Sequence, residues 1–138
     1  MNILSFSTIA EYIKKEINHK CGLNISQTRI LLFFDKSHNQ PLTMGKLAKG
    51  LNISLSTLSR QLQQKKTRLL IEVTKSSTDS SKTVALNTSG LSKVNDLKKT
   101  LNSIQQKLFS NIAEDEINIF VTNLNLLANQ SNYAQTSN

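Results

Sequence analysis

Between Leu42 and Leu58 the chain carries the same short pattern twice. Leu42 precedes Thr43 and Leu47 follows it by four; Ile53 precedes Ser54 and Leu58 follows it by four. A hydroxyl residue with apolar neighbours at those two places is a helix start, capped by the hydroxyl and stapled by the apolar pair. The first helix is expected from Thr43 to about Lys49, ending at Gly50, where a left-handed cap needs no Cβ. The second is expected from Leu55 to about Thr67. Two short helices joined by a Gly-containing turn make a helix-turn-helix.

The rest of the chain frames this motif. Phe6, Ile9, Ile13 and Ile17 are spaced as one face of a first helix from Ser5 to Lys20, which Gly22 ends. Ser26 is the expected cap of a second helix carrying Ile30, Leu31, Phe33 and Phe34. Lys36 to Gln40, then Pro41, read as a loop. After the helix-turn-helix, Leu69 to Thr74 is β-prone, Lys75 to Ser81 is turn-like, and Lys82 to Leu86 alternates with period two. Strand, polar tip and strand make a hairpin, and behind a helix-turn-helix a hairpin is a wing. Past Gly90, the residues Leu91, Val94, Leu97, Leu101, Ile104 and Leu108 form a narrow helical seam. Asn111 to Glu114 has capping-box spacing, and Ile117, Phe120, Val121, Leu124, Leu127 and Ala128 give a last helix a broad apolar face. One Pro and four Gly in 138 residues fit a helical protein better than a turn-rich β fold.

The expected fold is therefore mainly α with a small β-hairpin wing, in one domain over residues 1–138. Residues 26–88 form the winged helix-turn-helix, 1–21 and 89–128 form a helical region whose apolar seams a second copy of the chain would cover, and 129–138 are a frayed polar tail.

The second helix of the motif divides by face. Leu55, Leu58 and Leu62 are expected inward, while Ser56, Thr57, Ser59, Arg60, Gln61, Gln63 and Gln64 carry donors and acceptors, with no acid before Glu72. Such side chains read base edges in a major groove. Ser56, Thr57, Arg60, Gln61 and Gln64 are the candidate base-edge contacts; Thr43, Lys49, Lys75 and Lys82 are the candidate phosphate or wing contacts. Between Pro41 and Lys82 eight basic residues face two acidic ones, which is +6 of the whole chain's formal +8. Phosphate neutralisation supplies much of the affinity of DNA-binding proteins, so the charge lies where a duplex would need it.

Other classes fall away. A single Cys (Cys21) forms no intramolecular disulfide, and one Cys with His19 and His38 lacks the spacing of a zinc site. The longest apolar run, Ile30 to Phe34, is far short of a membrane span. With no basic stretch and apolar segment at the start, the expected setting is reducing, intracellular and cytoplasmic. Gly45-Lys46 has no Gly-rich loop before it, and Glu114-Asp115-Glu116 reads as a helix start, so neither an enzyme nor a cofactor is expected. The alternative to sequence-specific DNA binding is a winged-helix module that binds nucleic acid nonspecifically or a protein partner.

Gly22-Leu23 with Gln27, Leu42-Thr43 with Leu47-Ala48 and Leu51, Ser54 with Ser56-Thr57-Leu58-Ser59-Arg60, Leu70-Ile71-Glu72, Asp79, Val84-Ala85-Leu86 and Gly90 stand in one order over nearly the whole chain. In these residues the chain resembles the multiple-antibiotic-resistance regulator (MarR) family of bacterial transcription factors. It departs from the family at Lys65, where Leu is usual, Leu69, where Gly is usual, Val73, where a basic residue is usual, and Ser81, where the wing commonly has Arg. The resemblance implies a homodimer on a pseudo-palindromic duplex site, acting as a repressor that a small ligand or an oxidant relieves. It implies a wing contact in the minor groove, for which Lys75 or Lys82 would stand in. It also raises Cys21 as a redox sensor, because some relatives carry a peroxide-sensing cysteine in the first helix. Here Cys21 sits at that helix's end beside His19 and Lys20, and a plain structural cysteine is the competing reading.

Overall fold

In a computed structural model, which describes residues 1–136 (only the backbone for 133–136), the chain divides into two compact units, Met1–Ile104 and Gln105–Asn138. The division falls within one long helix.

The first unit begins with α1, Ser5–Cys21, whose carboxyl end is closed by Gly22 at φ 66°, with the Gly22 N–H bonded to the Asn18 carbonyl at 2.9 Å. Next comes α2, Ile25–Lys36. Its cap is Asn24 rather than Ser26. The Asn24 side chain accepts from the Gln27 N–H at 2.8 Å, and the Gln27 side chain accepts from the Asn24 N–H at 2.9 Å. The extended backbone of Asn24 allows this reciprocal box, which satisfies two otherwise orphan donors, while Ser26 is already inside the first turn.

The loop after α2 is structural. Asn39, at φ 55°, pairs its side-chain amide with the backbone of Leu86: its Nδ2 donates to the Leu86 carbonyl at 3.1 Å and its Oδ1 accepts from the Leu86 N–H at 2.8 Å. That clasp leads the chain into β1, Leu42–Thr43, a short strand the sequence pattern did not reveal. The helix-turn-helix follows as α3, Met44–Leu51, and α4, Leu55–Gln63. Both expected caps are in place: Thr43 accepts from the Lys46 N–H at 3.3 Å and Ser54 from the Thr57 N–H at 3.1 Å. The stapled residues Leu47 and Leu58 are fully buried.

The end of α3 differs from expectation. The left-handed cap is Asn52, at φ 56°, and Gly50 lies inside the helix. A Cβ on Gly50 would run into the Phe33 ring, so glycine here serves a close helix approach rather than a turn.

A further difference follows α4. The expected helix to Thr67 breaks at Gln64, whose extended backbone separates α4 from a short α5, Lys65–Arg68. An unbroken helix would carry the Leu58–Leu62 stripe onto Lys65 and Lys66 three and four places on, burying two ammonium groups. The break leaves both exposed and turns Thr67 inward, where it is 2 % exposed and accepts from the Gln27 Nε2 at 3.3 Å.

The wing is β2, Ile71–Lys75, against β3, Lys82–Leu86, with β1 on the far side of β3, all antiparallel. The hairpin register runs from Ile71 opposite Leu86 to Lys75 opposite Lys82. Next, α6 spans Thr88–Leu108 and so starts before Gly90, not after it. Asn87 sets that start. Its Oδ1 accepts from the Gly90 N–H at 2.8 Å, and its Nδ2 donates to the carbonyls of Leu69 and Ile71. Gly90 packs so tightly on the Leu70 carbonyl that a Cβ would collide with it. Of the α6 seam, Val94, Leu97 and Ile104 are buried, whereas Leu91 is exposed. These residues join Ile17, Leu23, Ile30, Leu31, Phe34, Leu47, Leu58 and Val84 in the core of the first unit.

The second unit holds the end of α6 and α7, Glu114–Thr136. Asn111 is at φ 69° rather than in the extended backbone an N-cap needs, so the expected capping box is replaced by a turn. Glu114, Asp115 and Glu116 do form the first turn of α7, where acids complement the positive helix end. Phe109 and Phe120 meet edge to face at 5.8 Å. The helix continues through residue 136, so 129–136, expected as a frayed tail, are helical; 137–138 lie outside the described residues.

Candidate nucleic-acid interface

The interface is built on α4. Leu58 and Leu62 bury one side of the helix against the core, which turns Arg60 to the opposite side. Ser56, Arg60 and Gln63 are exposed, and Thr57, Ser59 and Gln61 flank them half-buried. Leu55, expected inward, is instead 56 % exposed at the first turn. Gln64 leaves the set of helix-face residues. It sits at the break, with its Oε1 3.5 Å from the Asn24 Nδ2. Gln63 takes its place on the exposed face, and its Nε2 donates to Ser59 Oγ at 3.3 Å, one turn back. The signal that separates these two neighbouring glutamines was present in the sequence: Lys65 and Lys66 occupy positions that would be inward in a longer helix.

The start of α4 is tied by hydroxyls. Ser54 Oγ donates to Thr57 Oγ1 at 2.8 Å and lies 3.1 Å from Ser56 Oγ, and Arg60 Nη2 donates to Thr57 Oγ1 at 3.4 Å. Four residues in less than two turns thus hold one another before any partner arrives.

The other candidates are spread around this helix. Thr43 is occupied as the cap of α3, while Lys49 is exposed on α3. Lys75 and Lys82 face each other as the last pair of the wing ladder, both exposed. Like charges in directly opposite positions repel, so this pair gains from an anion between its ammonium groups. Beyond them the tip closes with the Ser76 N–H on the Ser81 carbonyl at 2.9 Å. The Ser81 hydroxyl, then its backbone N–H, hold the Asp79 carboxyl below its ordinary value of 3.8 by bonding to the charged form. The residue at which the family commonly places a wing Arg is therefore spent here on locking the turn. A groove of about 420 Å³ separates α4 from the wing, lined by Met44, Leu62, Arg68, Ile71 and Val73 among others.

Cys21, read either as a redox sensor or as a plain structural cysteine, is buried. It is 5 % exposed, its Sγ lies 3.3 Å from Thr100 Oγ1, and the cation that reaches it, Lys93, donates to its backbone carbonyl at 3.0 Å. Among the described residues no group of His, Cys, Asp and Glu is placed to hold a metal ion, and no helix is long and apolar enough to cross a membrane.

No family model and no curated protein matches the sequence. Solved structures do match the fold. Staphylococcus aureus MepR in complex with DNA is 22 % identical, with a TM-score of 0.78 over 94 % of this chain and 98 % of its own. The MarR crystal structure is 18 % identical, with a TM-score of 0.73 over 91 % and 93 %. A MarR-family transcriptional regulator from Silicibacter pomeroyi is 23 % identical, with a TM-score of 0.64 over 90 % and 86 %. In chain order, long helices before and after a helix-turn-helix with a three-stranded wing make the fold of these MarR-family structures.

Proposed function

We propose that this chain is a DNA-binding transcription regulator of the MarR family, acting as a homodimer on a pseudo-palindromic duplex site. The observation that carries the reading is the acid-free polar face of α4, with Arg60 turned away from the buried Leu58 and Leu62. A helix of that kind enters a major groove, and a dimer places its two copies in half-sites roughly 34 Å apart. Lys75 and Lys82 on the wing, with Lys49 on α3, are the proposed backbone contacts. The resemblance in fold to MepR, solved in complex with DNA, supports the same assignment.

A homodimer accounts for the apolar surface. Ile3, Leu4, Phe6 and Ile9 at the start of the chain, and Ile119, Phe120, Leu124, Leu126 and Leu127 on α7, are all exposed in one copy. Apolar patches of this kind mark association surfaces. The regulation proposed is repression relieved by a small molecule. A ligand in the groove between α4 and the wing would touch both reading elements at once. Relief by an oxidant is the weaker form of the proposal, because the Cys21 thiol is buried against Thr100.

Selection of bound duplexes from a random library, with the winner followed by gel shift across salt concentrations, tests the reading. An enriched inverted repeat whose affinity falls steeply with salt is expected. A library that stays flat, with salt-sensitive but sequence-blind binding, would reduce the chain to a nonspecific nucleic-acid or interaction module.

A further inference from the structure

The hydroxyl chain at the start of α4 has proton directions that follow from counting. Ser54 Oγ has one proton, and it goes to Thr57 Oγ1 at 2.8 Å. None is left for Ser56, so in the 3.1 Å contact between the two serines Ser56 is the donor. Thr57 Oγ1 accepts from Ser54 and from Arg60 Nη2, at 3.4 Å, which uses both of its lone pairs. Its own proton has no acceptor among the described residues. Toward the solvent, the Thr57 and Arg60 side chains therefore offer donors only: the Thr57 O–H and the remaining guanidinium N–H groups.

We propose that Thr57 is the positioning residue for Arg60 and that the pair selects guanine. Held at one end by Thr57, the guanidinium no longer samples its full rotamer range, and its free N–H groups are presented beside a second donor. In the major groove only guanine offers two adjacent acceptors, N7 and O6; adenine and cytosine each present an amino donor there. The unsatisfied donors of Thr57 and Arg60 match the first edge and oppose the others. The inference rests on the reading of α4 as a groove-reading helix and adds which base it prefers and which side chain sets that preference.

The test starts from the duplex the wild-type protein selects. Arg60→Ala locates the base pair whose preference Arg60 sets, and each of the four bases is then placed there in competition. Guanine is expected at that position. Thr57→Val, which keeps the shape and removes the hydroxyl, is expected to lower the guanine preference about threefold to tenfold, in line with the loss of one hydrogen bond. Its binding to nonspecific duplex is expected to fall by less than its binding to the selected site. Thr57→Ser should restore the preference, and Thr57→Val added to Arg60→Ala should cost less than it does in the wild-type protein. Thr57→Ala serves as a second hydroxyl-free variant if the valine does not fold. A base other than guanine, an equal loss on specific and nonspecific duplex, or additive losses in the double variant would overturn the role given to Thr57. Should the wild-type protein select no sequence at all, the reading of α4 itself fails, and the role of Thr57 with it.

Discussion

The outer side of α4 is made of hydroxyl, amide and guanidinium groups, whereas α7 leaves Ile119, Phe120, Leu124, Leu126 and Leu127 open to water. On α4 the polar groups are already bonded to one another, so little side-chain freedom remains to be lost when a partner arrives. On α7, Asn118, Thr122, Asn123 and Asn125 are exposed as well, but what the large apolar side chains beside them offer is area to be removed from water. Exposure in a single copy therefore says little by itself. On the reading proposed above, the chemistry of the exposed face sets the kind of partner each would take: an anionic, hydrogen-bonding duplex for α4, a second apolar surface for α7.

The largest effect expected from this contrast is on α7. Leu124→Asp should dissociate the dimer in analytical ultracentrifugation and lower affinity for the full inverted repeat by roughly 100-fold or more, since two linked half-site contacts become one. Unchanged association would break the assignment of α7 to the dimer. Next, Arg60→Ala should cost about 1–3 kcal/mol of specific binding with sedimentation unaffected, as measured by titration against the selected site. If Arg60→Ala altered association instead, the two faces would not be separate devices.

A smaller change is expected at the wing. Replacing Lys75 and Lys82 together with Ala should flatten the plot of log affinity against log salt by about one unit for each lysine, while the preferred sequence stays the same. A changed sequence preference would mean that the wing reads bases rather than phosphates. The smallest effect concerns Asp79. Its carboxyl is held below 3.8 by the Ser81 hydroxyl and N–H, so the tip turn is intact above the ordinary value and loosens as pH falls through the folded one. An NMR titration of the Ser81 amide should show this acid midpoint, with no change near neutral pH. A midpoint above 3.8 would show that the turn does not hold the charged carboxylate.

Some of this was legible in the residues alone. Thr43 with Leu42 and Leu47, and Ser54 with Ile53 and Leu58, located both helix starts correctly, because capping and stapling are local and act within five residues. The hairpin was legible too, as two β-prone runs around a polar tip, although Val84, Ala85 and Leu86 are all buried in the central strand β3 rather than alternating. The stop signals were harder. Gly50 looked like the end of α3, but its missing Cβ makes room for Phe33, which arrives from α2. Ser26 and Asn24 were both good caps by residue type, and only the extended backbone at Asn24 made the choice.

By itself the sequence determined the order of the main elements, the caps that begin α3 and α4, the acid-free face of α4 and the concentration of positive charge around it. These depend on interactions between residues a few places apart, or on charge that needs no fold to be counted. The tertiary structure decided where α4 stops, because the burial of Thr67 against Gln27 and the exclusion of Lys65 and Lys66 from the core involve residues some forty positions away. It decided that Gln63 rather than Gln64 stays on the α4 helix, that Asn39 clasps Leu86, and that Cys21 is sealed against Thr100. Each of these depends on which distant group comes to fill a space or accept a proton. That is a property of packing, which no window of neighbouring residues contains.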